Sequence, residues 1–535
     1  MSLIELIESN VAHHAKPEGI KFTYGTAGFR MDAKYLDYVN YTVGILASLR
    51  SKYLGGKTVG VMITASHNPP PDNGVKVVDP LGSMLESKWE HYATELANSS
   101  HDQLVSTVER LIEELKIDLN TESSIVIARD SRESSERLTK STIDGFKSVP
   151  RTQYKDFGLL TTPELHYLTR TYNDDSFGPA NEDGYYTKLA NSFKEIFKLS
   201  ETQDAIDITI DAANGVGAPK IEELLKNYLA HEIKFTVVND AYKKPDLLNY
   251  ECGADFVKTN QKLPKNVEPV AERLYASFDG DADRLICYYQ TLQGQFVLLD
   301  GDKIATLIAL FLQQLFKNID ADKLTLDIGI VQTAYANGSS SKYVEEVLKL
   351  PVRCTSTGVK HLHHEAEKFD IGVYFEANGH GTVVFSPEAE KKIFAYQAAL
   401  ENDKEKRAIR VLQEFSKLIN QTVGDAISDL LVVLIILHYL DLTPEKWNQA
   451  YTDLPNKLTK VVVPDRTIFQ TTNAERTLVK PDGMQAKIDE LVSKYPKARS
   501  FVRASGTEDA VRVYAEADTA EHVEALSKAV SELLD

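Results

Sequence analysis

Cysteine is scarce: Cys252, Cys287 and Cys354 are the only three in 535 residues. An odd count without a CxxC spacing encodes neither a disulfide framework nor a structural zinc site, and it fits a reducing, cytoplasmic setting. Long apolar runs are also missing. The most apolar stretch, Leu430–Leu437, is about half of the roughly 18 residues a membrane span needs, and Met1–Asn10 carries Glu5 and Glu8 where a signal peptide is basic. Neither a membrane nor a secretory route is expected. Positive charge is in deficit, since 60 Lys and Arg against 78 Asp and Glu leave a formal charge of −18. A nucleic-acid partner demands a cationic footprint, so this balance argues against one. The absence of any repeat of about 20–50 residues, and of low-complexity tracts, removes solenoids, propellers and disordered arms.

What is present is the balance of a folded soluble protein, 43% hydrophobic and 26% charged, with length for roughly three or four domains. Short β-rich runs, Val59–Ile63, Ser124–Ala128, Ile206–Ile210 and Leu274–Phe278, alternate with amphipathic segments such as Leu104, Val108, Leu111, Ile112 and Leu115. That order predicts α/β layers. Two helices, after Asp302 (304–316) and after Asp425 (427–440), read as buried, each with an acidic N-cap candidate. The polar stretches 172–183 and 441–456 read as loops or linkers. A final helix carries Val523, Leu526, Val530 and Leu533 on one face.

Two phosphate-binding patterns fail. Gly56-Lys57-Thr58 imitates the end of a P-loop, but Ser51 stands where the first glycine belongs. Gly215-Val216-Gly217 meets Lys220 at the third glycine position, so the dinucleotide fingerprint is broken.

Four other stretches carry chemistry. Thr64-Ala65-Ser66-His67-Asn68-Pro69 follows a strand and precedes Asp72-Asn73-Gly74-Val75-Lys76; prolines restrict the loop, and Ser66 is placed for in-line attack, although an ordinary Ser/Pro turn has the same composition. Asp279-Gly280-Asp281-Ala282-Asp283-Arg284 sets three carboxylates at alternate loop positions, a hard-cation pattern; Arg284 and Gln290 break the EF-hand rule, so Mg²⁺ with phosphate or water fits better than a Ca²⁺ cage. The bland alternative is a solvated acidic turn. Phe375-Glu376-Ala377-Asn378-Gly379-His380-Gly381 mixes acceptors and donors as sugar hydroxyls require, or is a polar loop. The nearby Lys360-His361-Leu362-His363-His364-Glu365 lacks the partners of a zinc site and reads as a helix start with solvated histidines. Last, Arg503-Ala504-Ser505-Gly506-Thr507-Glu508 with Arg512 offers guanidinium forks, hydroxyls and backbone N–H groups to a phosphate.

In this order the four motifs resemble the α-D-phosphohexomutase superfamily over nearly the whole chain, supported by Gly25-Thr26-Ala27-Gly28-Phe29-Arg30 and Asp211-Ala212-Ala213-Asn214-Gly215. The wording at 376–382, and Arg129-Asp130-Ser131-Arg132 falling after the serine loop, resemble its phosphoacetylglucosamine mutase branch. Thr357-Gly358-Val359 departs from relatives with His at the third position, so that histidine's role cannot be assigned to Val359, and Lys360 or His361 is the candidate to take it up. The resemblance implies three α/β domains of shared core topology and a smaller C-terminal α+β domain around a central cleft. Their expected spans are 1–190 with the phosphoserine loop, 191–298 with the metal loop, 299–455 with the sugar loop and 456–535 with the phosphate loop. It implies reversible conversion of N-acetylglucosamine 6-phosphate to the 1-phosphate, on the route to UDP-N-acetylglucosamine, through a phosphoserine and a sugar 1,6-bisphosphate. Ser66, Arg30 and Lys76 would be catalytic. One Mg²⁺ would be held by Ser66, Asp279, Asp281 and Asp283. Glu376, Ala377, Asn378 and His380 would bind the sugar, and Arg503, Ala504, Ser505, Gly506, Thr507 and Arg512 the phosphate. The rivals are a phosphoglucomutase or phosphomannomutase of the same superfamily, and a non-catalytic sugar-phosphate-binding protein. The partner in every case is a small-molecule sugar phosphate.

Overall fold

The computed structural model describes residues 2–399, 401–505 and 509–534. The chain divides into two compact units, 1–298 with 414–439, and 299–413 with 440–535.

Unit 1 holds two five-stranded sheets. The first is built from β1 (Phe29–Asp32), β2 (Thr58–Ile63), β3 (Asp72–Val78), β4 (Ser123–Arg129) and β5 (Thr152–Leu159), in the order β1-β3-β2-β4-β5. Strands β2, β4 and β5 run parallel, while β3 is antiparallel to both β2 and β1. All six residues of β2 are buried, as its unbroken apolar run requires of a central parallel strand. The second sheet comprises β6 (Ile206–Asp211), β7 (Ile233–Val238), β8 (Tyr275–Phe278), β9 (Leu285–Gln290) and β10 (Phe296–Leu299), in the order β10-β9-β8-β6-β7. Here β8, β6 and β7 are parallel and β9 is antiparallel to β8. The helix Ala426–Tyr439 is buried along nearly its whole length and is capped by Asp425, whose Oδ1 accepts from the N–H groups of Ile427 and Ser428 at 3.0 and 3.1 Å. This matches the expected acidic cap.

Unit 2 holds a four-stranded sheet of β11 (Ile328–Thr333), β12 (Val352–Thr355), β13 (Ile371–Phe375) and β14 (Gly381–Phe385), ordered β12-β11-β13-β14. It also holds a smaller sheet of β15 (Asn456–Val462), β18 (Arg499–Ala504) and β19 (Ala510–Glu516), ordered β15-β19-β18, beside the hairpin β16 (Gln470–Thr472) and β17 (Thr477–Lys480). The last sheet is covered by the helix Ala520–Glu532, which buries Val523, Leu526 and Val530 as its periodicity predicts. The helix Gly301–Phe316 is capped by Asp300, which accepts from the Asp302 N–H at 3.0 Å. Asp302, the expected cap, therefore lies inside the first turn, because Gly301 already adopts helical backbone. The segment Val359–Ala366 is a helix, yet His363 is not solvated: its Nδ1 pairs with the Tyr374 hydroxyl at 2.9 Å.

The three larger sheets share one plan. In each, two parallel strands (β4-β5, β6-β7, β11-β12) lie beside a third parallel strand (β2, β8, β13) whose carboxyl end turns back into an antiparallel neighbour (β3, β9, β14). In sheets two and three the turning hairpin comes last in the chain; in the first it comes first. The first sheet is thus circularly permuted relative to the other two, which is why Arg129–Arg132, at the end of β4, follows the serine loop in sequence.

Candidate active site

The turn of each shared hairpin is one of the motifs: 64–71 joins β2 to β3, 279–284 joins β8 to β9, and 376–380 joins β13 to β14. Carboxyl ends of parallel strands are where α/β sheets present ligand-binding loops.

Ser66 is 1% exposed and has φ of 51°, the left-handed region that costs a residue with a Cβ on the order of 1 kcal/mol. Its Oγ donates to Asp279 Oδ2 at 2.6 Å, while His67 Nδ1 stands 3.5 Å away. Burial, then Arg284 and Arg30, push the His67 imidazole down to about 3, so it stays neutral near pH 7. Gly280 makes the approach of the two loops possible. A Cβ on it would lie 2.5 Å from the Ser66 carbonyl oxygen, inside contact distance.

Asp279, Asp281 and Asp283 are all buried, and their ligand oxygens lie within 4.8 Å of one another; among the described residues no other group of this kind occurs. Asp279 Oδ1 accepts from the N–H groups of Asp283 and Arg284 at 3.1 and 3.2 Å, and Asp281 Oδ2 accepts from the Thr162 hydroxyl at 2.6 Å. Asp281 Oδ1 is buried and has no hydrogen-bond partner. Burial, then repulsion from Asp283 and Asp281, raises the Asp279 carboxyl well above the usual range. Three buried carboxylates with an orphaned oxygen fit a hard divalent cation.

Lys76 Nζ stands 3.9 Å from Asp283 Oδ2, and Arg30 Nη1 donates to Asn68 Oδ1 at 3.4 Å. Burial, then Arg284, lowers the Arg30 guanidinium pKa, opposed by Asp281 and Asp283. Unit 1 therefore gathers Ser66, Arg30, Lys76 and the three aspartates. Sequence reasoning used Arg284 only to break the EF-hand rule, and it missed Thr162 and Asn249, whose side chain donates to the Ser66 carbonyl at 3.0 Å. Arg129 turns away, pairing with Asp156 at 3.3 Å.

In unit 2 the 376–380 turn braces itself. Glu376 N–H donates to the His380 carbonyl at 2.9 Å, Asn378 Nδ2 to Glu376 Oε2 at 3.2 Å, and His380 N–H to Asn378 Oδ1 at 3.0 Å. Glu376, Ala377 and Asn378 are half-buried and His380 is buried. A Cβ at Gly301 would strike the Glu376 carbonyl at 1.8 Å, so glycine is needed for the turn to rest on the helix start.

Arg503 and Arg512 are direct partners across β18 and β19, and Lys460 is the partner of Arg512 across β15 and β19. The register therefore sets three basic residues in one cross-strand row. Lys460 was not singled out in the sequence, because only the strand register brings it to the row. Arg503 Nε donates to Glu475 Oε1 at 2.8 Å, and the other oxygen of that carboxylate accepts from the Thr357 N–H and hydroxyl at 2.9 and 2.6 Å. Glu475 thereby ties Thr357 to the arginine. Ala504 ends β18 and Ser505 N–H donates to the Ala510 carbonyl at 2.8 Å; Gly506 and Thr507 lie outside the described residues.

Residues 175–286 and 300–442 match the families described as phosphoacetylglucosamine mutase AMG1, domains II and III. Residues 46–104 and 100–178 match phosphoglucomutase/phosphomannomutase alpha/beta/alpha domain I, and 458–533 its C-terminal domain. The phosphoacetylglucosamine mutase of Candida albicans is 70% identical over 100% of both chains. The human enzyme of the same description is 50% identical over 97% of this chain and 95% of its own. A crystal structure of N-acetylglucosamine-phosphate mutase in the substrate complex superposes with a TM-score of 0.98 at 71% identity over all of both chains. The Aspergillus fumigatus enzyme in complex with GlcNAc-6P and magnesium does so with 0.95 at 48%, covering 100% of this chain and 98% of that one. With its three repeated hairpin loops and its separate C-terminal sheet, the chain belongs to the phosphoacetylglucosamine mutases of the α-D-phosphohexomutase superfamily.

Proposed function

We propose that the chain interconverts N-acetylglucosamine 6-phosphate and N-acetylglucosamine 1-phosphate, with Ser66 as the phosphoryl carrier. The observation that carries this reading is the 2.6 Å bond from the left-handed, buried Ser66 to Asp279 of the aspartate triad. A binding protein has no use for a strained serine set against three buried carboxylates.

In the forward direction the phosphorus–Oγ bond of phospho-Ser66 breaks as a bond forms to O1 of the 6-phosphate sugar, giving the 1,6-bisphosphate. After the sugar turns over, the phosphoryl group on O6 returns to Ser66 Oγ and the 1-phosphate leaves. Phosphoryl transfer is mostly positioning and charge stabilisation. Asp279, Asp281 and Asp283 would hold Mg²⁺, which when bound offsets charge on the phosphoryl oxygens in transit. Arg30 and Lys76 neutralise the remaining charge, and Lys76 moves the proton of the attacking sugar hydroxyl. Glu376, Asn378 and His380, on the Ala377 turn, read the sugar hydroxyls. Arg503, Ser505 and Arg512, with Ala504, Gly506 and Thr507 in the same loop, hold the phosphate that is not reacting. The four-part division at 190, 298 and 455 assigns one loop to each domain.

No helix among the described residues is long and apolar enough to cross a membrane. Three free thiols, two of them buried, are stable in a reducing compartment, and we place the enzyme in the cytoplasm. A coupled assay across the 6-phosphates of N-acetylglucosamine, glucose and mannose, with and without chelator, tests the proposal. Chelator-sensitive turnover preferring the N-acetylated sugar supports it; preference for glucose or mannose, or no turnover, rejects it.

A further inference from the structure

Arg132 follows β4, and its side chain is 0% exposed. A guanidinium presents five N–H donors in a rigid fork, and Arg132 makes five hydrogen bonds. Nε donates to Asp130 Oδ2 at 3.0 Å, Nη1 to the carbonyls of Pro69 and Asp72 at 2.7 and 2.9 Å, and Nη2 to those of Ser66 and Asn68 at 2.8 and 2.9 Å. Three of these end on the backbone of the serine loop and a fourth on Asp72, the first residue of β3. Asp130 closes the arrangement from the other side: its Oδ2 accepts from the Thr64 hydroxyl at 2.8 Å, whose oxygen accepts from the Ser66 N–H at 3.1 Å. Both backbone polar groups of Ser66 are thus gripped.

Carbonyl oxygens that converge on one point repel each other. A buried planar cation holds them there, and a lysine, with three donors on a single atom, does not reproduce the fork. The left-handed backbone of Ser66, unfavourable by itself, persists because its surroundings fix it.

We propose that Arg132 is a positioning residue for phosphoryl transfer, acting through the backbone of 66–72 to keep Ser66 Oγ in line with the phosphoryl group and beside Asp279. This rests on the reading of Ser66 as phosphoryl carrier. A merely structural buried arginine supplies the control: Arg50, also in unit 1, binds Asp79 and Glu86 with bonds of 2.8 to 3.0 Å.

Wild type, Arg132→Lys, Asn249→Ala and Arg50→Lys are compared at a temperature where each is folded by circular dichroism. Steady-state kcat and KM are measured with N-acetylglucosamine 6-phosphate. A quenched single turnover with glucose 1,6-bisphosphate gives the rate of Ser66 phosphorylation by intact-protein mass. Arg132→Lys is expected to lower kcat and the single-turnover rate about 10²-fold, the loss that a displacement of about 1 Å brings, with KM changed by less than about 3-fold. Arg50→Lys should lower the melting temperature while leaving both rates intact. Asn249→Ala gives up the 3.0 and 3.2 Å bonds to the Ser66 and Asn68 carbonyls and puts alanine at a φ of 57°, which asparagine adopts more readily. It should lower the same rates several-fold, and it carries the test if Arg132→Lys does not fold. Wild-type enzyme that takes up no phosphate would overturn the carrier reading itself. Normal wild-type uptake, with Arg132→Lys and Asn249→Ala as fast as Arg50→Lys, would overturn the positioning role alone.

Discussion

The serine loop and the metal loop hang from equivalent strands of two sheets and are braced in the same way, yet the metal loop carries three carboxylates and the serine loop none. Each has a buried aspartate at the end of the neighbouring parallel strand: Asp130 beside the serine loop, Asp211 beside the metal loop. Thr64 donates to Asp130 at 2.8 Å, and Ser277, two residues before the metal turn, donates to Asp211 at 2.7 Å. From that shared brace the loops diverge. The serine loop turns its carbonyls inward onto a guanidinium, whereas the metal loop turns N–H groups inward onto Asp279 and leaves three carboxylates facing one another. One loop is closed by hydrogen bonds within the chain, and the other gathers three carboxylates that would hold a cation. A phosphoryl carrier, the role proposed for Ser66, needs a fixed position through repeated gain and loss of its phosphoryl group; a metal site needs unbalanced charge.

Removing the ligands of the second loop should separate the two most sharply. Asp281→Asn is expected to cut kcat about 10³-fold, as loss of a principal electrostatic stabiliser does. It should nevertheless raise the melting temperature of the metal-free protein by relieving like-charge repulsion, and it should abolish the rise in melting temperature that Mg²⁺ gives the wild type. A lower metal-free melting temperature would show that the triad is not repulsive. Gly280→Ala places a methyl against the Ser66 carbonyl and should disturb both loops together, lowering kcat about 10²-fold with little change in KM. In unit 2, Arg512→Ala should raise KM for the sugar phosphate about 10-fold or more, the worth of a charge-assisted hydrogen bond, and Lys460→Ala about 3-fold, with kcat nearly kept. Equal effects on kcat would remove the cation row from ground-state binding.

The smallest effect concerns the buried Glu164, whose carboxylate accepts from the Thr161 N–H at 2.7 Å. Burial pushes its carboxyl up from 4.5 to about 8, with Lys220 opposing. The native state then holds a proton that the unfolded chain has released, so this group makes stability fall as pH rises from about 4.5 through about 8. Glu164→Gln should flatten that part of the profile in urea unfolding. An unchanged slope would assign it to other groups.

The motif loops were legible in the sequence because their chemistry is local: adjacent Ser, Asp, Glu and Arg residues at fixed offsets carry it. The strands before them were legible because central parallel strands are unbroken apolar runs. What brings distant residues onto a loop was not. Arg129 and Arg132 look alike in sequence, yet Arg129 pairs with Asp156 while Arg132 is buried under the serine loop. Lys460 and Glu475 reach Arg512 and Arg503 only through strand register and side-chain contact. The permuted first sheet appeared in sequence only as a displaced Arg-Asp-x-Arg segment, and its cause emerged from strand order. The net charge of −18 says nothing of these local cations, which sit where phosphate is expected.

The most direct measurement is intact-protein mass with phosphopeptide mapping, after wild type and Ser66→Ala are exposed to glucose 1,6-bisphosphate and Mg²⁺ and then to N-acetylglucosamine 6-phosphate. A single phosphate on Ser66, discharged by the sugar phosphate and absent from Ser66→Ala, whose kcat falls about 10⁴-fold or more, is expected. An unmodified Ser66 in an enzyme at full turnover, or an active Ser66→Ala, would contradict a mechanism that runs through this serine.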